Sequence, residues 1–370
     1  MQDILIVSGT RPEIIKLAPL YHHLRSTSWA RPHWLHTGQH DGMAWQMLDC
    51  FEIRPDLAFT RTGSSLCEFS TGCRTQLETV LGARPWSLVV VQGDTESTYL
   101  GALTGFYHHV PVAHVEAGLR TGNLEGPFPE EGLRQMISRI TRFHFAPTTR
   151  AARALHEEAI APGRVQVTGN TVIDAQQWVA DRYRIRRRAA GRGHLLVTAH
   201  RRENWGRDIE EICHAIADVA RRHPELEVLF PVHLNPVIQE PVYAILGELG
   251  NVKLSAPFDY LTMQQALVDA WLVLTDSGGL QEEAPTFGVP LLVLRAETER
   301  PEAVEAGCAR LAGTRRESIV AHVEALWADA DTYRRMQGAG NPFGDGRACE
   351  RIETALRQAL APETALATVA

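Results

Sequence analysis

The chain has 370 residues, 44% of them hydrophobic and 22% charged, which is long for a single core and balanced like an ordinary water-soluble protein of two domains. Its net charge of −7 speaks against nucleic acid or an anionic membrane surface as a partner, so an anionic ligand must be met by local cations. The six cysteines, Cys50, Cys67, Cys73, Cys213, Cys308 and Cys349, lie scattered without a CxxC pair or a Cys/His cluster, which predicts reduced, structural thiols and no metal site.

In chain order, short β-branched runs alternate with helical patterns, the signature of parallel sheets covered by helices. The first run, Ile4 to Val7, is too short for a signal peptide and has no basic region before it. No run is long enough to span a bilayer, so a cytoplasmic protein with no membrane partner is expected. Further strands are predicted at Trp34 to His36, Leu88 to Val91, Val110 to Val115, Phe143 to Ala146 and Val165 to Val167. The basic stretch Arg182 to Arg192 reads as a connection, and a second set follows at Leu195 to Val197, Val228 to Pro231, Val252 to Leu254, Leu272 to Leu274 and Leu291 to Leu294. The expected domains are therefore 1–180 and 190–347, with a last helix, 348–370, crossing back to the first after NPFGDG.

Polar residues collect where these strands end. Ile4 to Val7 runs into Gly9, Thr10 and Arg11, Leu88 to Val91 into Gly93 and Asp94, and Val110 to Val115 into Glu116. In the second half, His200 and Arg201 follow one strand, His233 another, and Asp276, Ser277, Gly278 and Gly279 a third. Open parallel sheets bind ligands beyond the carboxyl ends of their strands, so each domain should gather these groups on one rim, and two facing rims would form a cleft.

Each residue also has a plainer reading. Arg11 and Lys16 fit a solvated first helical turn, Asp94 fits an N-cap, and Glu130 in Pro-Glu-Glu fits a routine helix start. Glu116 ends a buried run, where its carboxylate would be desolvated or ion-paired with Arg120. His233 fits a satisfied loop histidine. Taken jointly, the set separates by chemistry: three carboxylates, Asp94, Glu116 and Glu130, come from the first half, and phosphate-suited groups come mostly from the second. Clustered acids repel one another's charge, which raises at least one pKa and lets one carboxyl hold a proton while another is ionised. Such a set can take a proton from one face of a sugar carbon and return one to the other.

The segment TDSGGLQEEAP has a strand, a glycine turn and a helix start, and a helix N-terminus of that kind presents N–H groups to a phosphate. It resembles the diphosphate turn of nucleotide-sugar enzymes with the glycosyltransferase-B architecture. GTRPEIIK, VQGDTEST, HVEAGLRTGN followed by PEE, VTGNTVIDA, TAHRREN, PVHLNP, TDSGGLQEEAP and TERPEAVEAG occur in the order found in non-hydrolysing UDP-N-acetylglucosamine 2-epimerases, and the resemblance runs from about Ile4 to Arg351.

That resemblance implies an α/β protein of two Rossmann-like domains facing across a cleft. It implies conversion of UDP-N-acetylglucosamine to UDP-N-acetylmannosamine by elimination of UDP to a 2-acetamidoglucal and re-addition, with no nicotinamide, other cofactor or metal. By resemblance, Asp94, Glu116 and Glu130 are catalytic carboxylates and His200 stands near the departing diphosphate. Ser277, Gly278, Gly279 and Glu283 match the nucleotide turn and ribose contact, and Arg11, Lys16 and Arg300 match diphosphate-side cations. Gln39, His40, Arg201 and His233 match a second, allosteric site for the same nucleotide sugar, although Gly42 replaces a longer polar residue nearby. Phe258 and Met263 depart from the glutamine and phenylalanine that contact the base in the family. A homodimer is implied. Other readings are a hydrolysing epimerase that releases free N-acetylmannosamine, an epimerase for a diacetamido-uronic acid nucleotide, a glycosyltransferase, and a non-catalytic nucleotide-sugar sensor.

Overall fold

The computed structural model describes residues 1–40, 42–188 and 192–360. The chain folds into two compact units, one built from Met1–Ala175 and the chain from Gly344 onward, the other from Gln176–Phe343. The boundary falls inside the helix Thr171–Arg182, just ahead of the basic stretch, of which residues 189–191 lie outside the described residues.

Unit 1 is a seven-stranded parallel sheet of β1 (Gln2–Ser8), β2 (Ala30–His36), β3 (Leu57–Ala58), β4 (Leu88–Gln92), β5 (Val112–Val115), β6 (Phe143–Ala146) and β7 (Val165–Val167), in the order β3-β2-β1-β4-β5-β6-β7. Unit 2 is a six-stranded parallel sheet of β8 (His194–Thr198), β9 (Val228–Pro231), β10 (Val252–Ser255), β11 (Ala270–Thr275), β12 (Leu291–Val293) and β13 (Ala309–Leu311), in the order β10-β9-β8-β11-β12-β13. Strands β4 and β11 are buried along their whole length, as strands covered by helices on both faces must be. The helix Arg207–Arg222 shows how the covering works. Ile209, Ile212, Ile216 and Val219 recur at helical spacing and bury one face against Leu195, Val197, Phe230 and Leu272.

Both sheets reverse their winding at one point, between β1 and β4 in unit 1 and between β8 and β11 in unit 2. An open crevice lies beyond the carboxyl ends of the strands at such a point. The GTR and GDT turns leave the first, and the HRR and DSGG segments leave the second.

Several expectations are corrected in detail. Strands β3 and β13 are absent from the sequence reading, because two or three residues at a sheet edge carry no periodic signal. Strand β5 starts at Val112, since Pro111 has no N–H for the ladder and contributes only its carbonyl, to Val89 N at 2.9 Å. The helix that bears Glu282 and Glu283 is a single short piece, Gly278–Glu283, that tightens into a 3-10 turn where Pro285 removes a donor. The last helix, Ala348–Leu360, belongs to unit 1. The Asp174 carboxylate accepts from Ala348 N (3.2 Å) and Cys349 N (2.9 Å), and Trp29 Nε1 donates to Glu353 (2.6 Å). The expected continuation, 361–370, lies outside the described residues.

Candidate functional site

In unit 1, Glu116 follows β5 directly, with a φ of 63° and 7% of its surface exposed. Its Oε1 accepts from the Lys16 ammonium and from Asn170 Nδ2 (3.0 Å), and its Oε2 from Gln92 Nε2. Three elements therefore hold one carboxylate. The plainer alternative, an ion pair with Arg120, does not form, because that guanidinium takes Glu158 in a fork at 2.6 and 2.9 Å. Lys16, expected on the diphosphate side, directs its charge to Glu116, while Arg11 is exposed at the head of its helix.

Asp94 follows β4 in the same rim. The plainer reading of it as an N-cap fails, since Thr95 caps the helix Glu96–Tyr107. Instead, Asp94 Oδ2 receives Nε and Nη2 of Arg134, both at 2.7 Å. The same guanidinium donates Nη1 to Glu131 at 3.2 Å. Glu131 is wholly buried and accepts from the Thr121 and Gly122 amides, so it anchors the loop that leads into Glu130. Glu130, half-buried, opens the helix Glu130–Ile140. Unit 1 thus brings the elements that carry Asp94, Glu116 and Glu130 onto one rim. The groups that hold Asp94 and Glu116 are cations and amides, rather than the mutually repelling acids expected.

Two buried side chains fix this rim from beneath. Glu13 reaches back to Gly9 N (2.8 Å) and Thr10 N (2.6 Å) with Oε2 and takes the hydroxyls of Thr95 (2.6 Å) and Thr98 (2.7 Å) with Oε1. It joins the turn after β1 to the turn after β4. His114 pairs through Nε2 with Gly93 O at 2.7 Å, and burial pushes its pKa down to about 3, so the ring is neutral and Nε2 is the donor. The loop after β2 meets the same rim. Gln39 Oε1 accepts from Ser97 N (3.0 Å) and Ser97 Oγ (2.6 Å), and His40 N donates to Gly9 O (2.9 Å).

In unit 2, the buried Asp276 ends β11 and is the hub. Its Oδ2 accepts from His200 N (2.8 Å), Arg201 N (2.8 Å) and Asn204 Nδ2 (3.0 Å), and its Oδ1 lies 3.2 Å from His200 Nδ1. The His200 and His233 rings lie nearly parallel with centroids 6.0 Å apart. A Cβ built on Gly278 would lie 3.5 Å from Arg201 Nη2 and 4.0 Å from Arg300 Nη2, so two guanidiniums flank the glycine turn. Arg300 also gives its Nε to the buried Glu282. Glu283 receives Gln264 Nε2 at 2.5 Å, and its Oε1 is 3.6 Å from where a Gly279 Cβ would be. Every expected unit 2 residue, Ser277, Gly278, Gly279, Glu283, Arg300, His200, Arg201 and His233, therefore lies on loops or helix ends at the carboxyl edge of that sheet.

Sequence reasoning missed Gln92, Asn170 and Arg134, and placed Asp276 only in a turn. Gln92, Asn170 and Asp276 are buried polar residues beside strand ends, and a polar residue closing an apolar run was the available signal, whereas Arg134 lies inside the helix Glu130–Ile140 and carried none. Among the described residues, no group of three His, Cys, Asp or Glu side chains could hold a metal, and no helix is long and apolar enough to cross a membrane. Among the described residues no disulfide joins any of the six cysteines, and Cys67 alone of them is exposed.

A family model described as UDP-N-acetylglucosamine 2-epimerase matches residues 22–357. The UDP-N-acetylglucosamine 2-epimerase of Escherichia coli (strain K12) is 45% identical over 368 residues, covering 96% of this chain and 98% of that protein. The Yersinia pestis protein of the same name is 46% identical at the same coverage. Among solved structures, the Neisseria meningitidis UDP-GlcNAc 2-epimerase bound to UDP-GlcNAc superposes with a TM-score of 0.88 at 37% identity, covering 96% of this chain and all of that one. MurG from Acinetobacter baumannii, 14% identical with a TM-score of 0.60, shares the fold alone. Motif order, twin parallel sheets and full-length similarity agree: the chain belongs to the UDP-N-acetylglucosamine 2-epimerase family.

Proposed function

We propose that this protein interconverts UDP-N-acetylglucosamine and UDP-N-acetylmannosamine at C2. The observation that carries the reading is the division of labour between two switch points, with carboxylates at the end of β4 and β5 and cations around the Ser277–Gly279 turn at the end of β11. The C2 hydrogen is flanked by an amide nitrogen and no carbonyl, so it is not acidic. Elimination must therefore be driven by stabilising the leaving group. A carboxylate takes the C2 proton, the C1–C2 double bond of the glucal forms, and the C1–O electron pair leaves with UDP. Return of UDP to C1 with delivery of a proton to the other face of C2 gives the epimer. Asp94, Glu116 and Glu130 supply the base and acid between them. His200, Arg300 and the amides of Ser277–Gly279 meet the charge on departing UDP, Arg11 adds cationic charge, Lys16 holds Glu116 in its ionised form, and Glu283 holds the ribose.

Turnover in deuterated water tests this. UDP-N-acetylmannosamine labelled at C2 is the expected product. Free N-acetylmannosamine would mark the hydrolysing reaction, and no turnover would leave a binding protein. Asp94→Asn and Glu116→Gln should each lower the rate by about a thousandfold while UDP affinity stays within about threefold. Full activity in both would exclude these roles.

The proposal extends, by family resemblance, to a cytoplasmic homodimer and to a regulatory second site using Gln39, His40, Arg201 and His233. Light scattering measures the mass, and sigmoidal dependence of rate on UDP-N-acetylglucosamine reports the second site.

A further inference from the structure

We propose that Asp276 is the positioning residue of the leaving-group side, fixing which nitrogen of His200 is turned outward; this rests on the epimerase reading above. A wholly buried carboxylate persists only where donors satisfy it. Its Oδ2 has three, the amides of His200 and Arg201 and the side chain of Asn204, so this oxygen alone draws the HRREN loop onto the turn that begins at Ser277. Oδ1 has a different task. It is buried and has no conventional hydrogen-bond donor among the described residues, and His200 Nδ1 stands 3.2 Å away.

A carboxylate oxygen only accepts, so the ring nitrogen that faces it carries the proton. The 3.2 Å approach is an ion-pair contact, so the buried charge of Asp276 favours the proton on Nδ1, which makes Nε2 the ring nitrogen that would meet a phosphate, on an exposed ring beside a turn flanked by two guanidiniums. When a phosphate oxygen of UDP arrives there, Nε2 must also donate. The ring then carries both protons, with its positive charge balanced by Asp276. No proton passes to or from the ring in the step, since the C1–O electron pair leaves with UDP and the imidazolium only stabilises the oxygen that receives it. A buried acid that orients an imidazole in this way acts on catalysis through the histidine.

The alternative is that Asp276 merely staples two loops, a task for which Oδ2 suffices. Asp276→Asn separates the two, because the amide retains an oxygen for the staple but can present NH2 to Nδ1. Nitrogen NMR of the isotope-labelled wild type, with the His200 signal identified by its loss in His200→Gln, should show a ring protonated at Nδ1. A neutral ring protonated only at Nε2 overturns the proposal, whether or not the Asn variant folds. In Asp276→Asn the proton should move to Nε2, and kcat should fall by about a hundredfold with KM changed less than about threefold. The same substitution in a His200→Gln background should cost no more than about threefold, because the two act as a unit. Equal losses in both backgrounds would mark a staple and overturn the proposal. Failure of the wild type to epimerise would sink the functional reading, while the tautomer measurement would still decide this one.

Discussion

Glu116 occupies the left-handed region at φ 63° without being glycine, a backbone state that costs on the order of 1 kcal/mol or more and persists only where its surroundings hold it. Lys16, Asn170 and Gln92 do so by taking both carboxylate oxygens. The pair with Lys16 is shielded, with side-chain exposures of 12% and 5%, so breaking it from one side strands a buried anion. Lys16→Met should therefore destabilise the protein by about 3 kcal/mol, read from urea unfolding. Adding Glu116→Gln to that variant should restore most of the loss, because no uncompensated charge remains. Equal destabilisation in the single and double variants would show that Lys16 acts through packing of its stem instead.

At the scale of elements, the loop after Glu116 packs so closely on the helix Thr149–Glu157 that only one residue type fits at its second position. Gly118 has a φ of 95°, and a Cβ there would lie 2.2 Å from Ala151 O. Backbone cannot swing aside as a side-chain tip can, so Gly118→Ala should cost about 3 kcal/mol and lower the melting temperature, whereas Gly122→Ala, with no atom near its Cβ, should be milder. An equal effect at both glycines would remove the packing argument. The same contrast explains what could be read in the sequence. Strands such as Leu88–Gln92 are visible because burial on both faces demands an unbroken apolar run, and the turns that follow them are visible because glycines and charges interrupt it. Partners distant in sequence leave no such trace. Arg134 meets Asp94 across 40 positions, and in sequence it looks like any solvated helix arginine. Asp94 reads as a helix cap because the true cap, Thr95, is the next residue, and either would suit the spacing. Asp276 hides for a related reason, since an aspartate before two glycines reads as turn chemistry until the HRREN loop is folded against it.

At the scale of the whole molecule, the buried titratable groups pull stability in opposite directions with pH. Burial lowers the pKa of His22, His114 and His144 in unit 1 and of His194 in unit 2, His114 from an ordinary 6.5 to about 3. The unfolded chain binds protons there that the folded chain refuses. Each such histidine contributes stability that is present above pH 6.5 and lost as pH falls toward its folded value, at up to about 1.4 kcal/mol per pH unit. Glu13 has the opposite sign. Its burial outweighs the hydrogen bonds from Thr95, Thr98, Gly9 and Thr10 and raises its pKa above the usual 4.5, so its contribution is full below 4.5 and lost as pH rises through the folded value. Between pH 4.5 and 6.5 the two effects oppose, and single variants separate them. His114→Gln, which can still donate to Gly93 O, should flatten the rise of unfolding free energy with pH across that window. Glu13→Gln should steepen it. Urea unfolding at intervals through the window measures both slopes. If the His114→Gln curve runs parallel to the wild type, the neutral imidazole beneath the Asp94 turn is not the group whose protonation weakens the fold in acid.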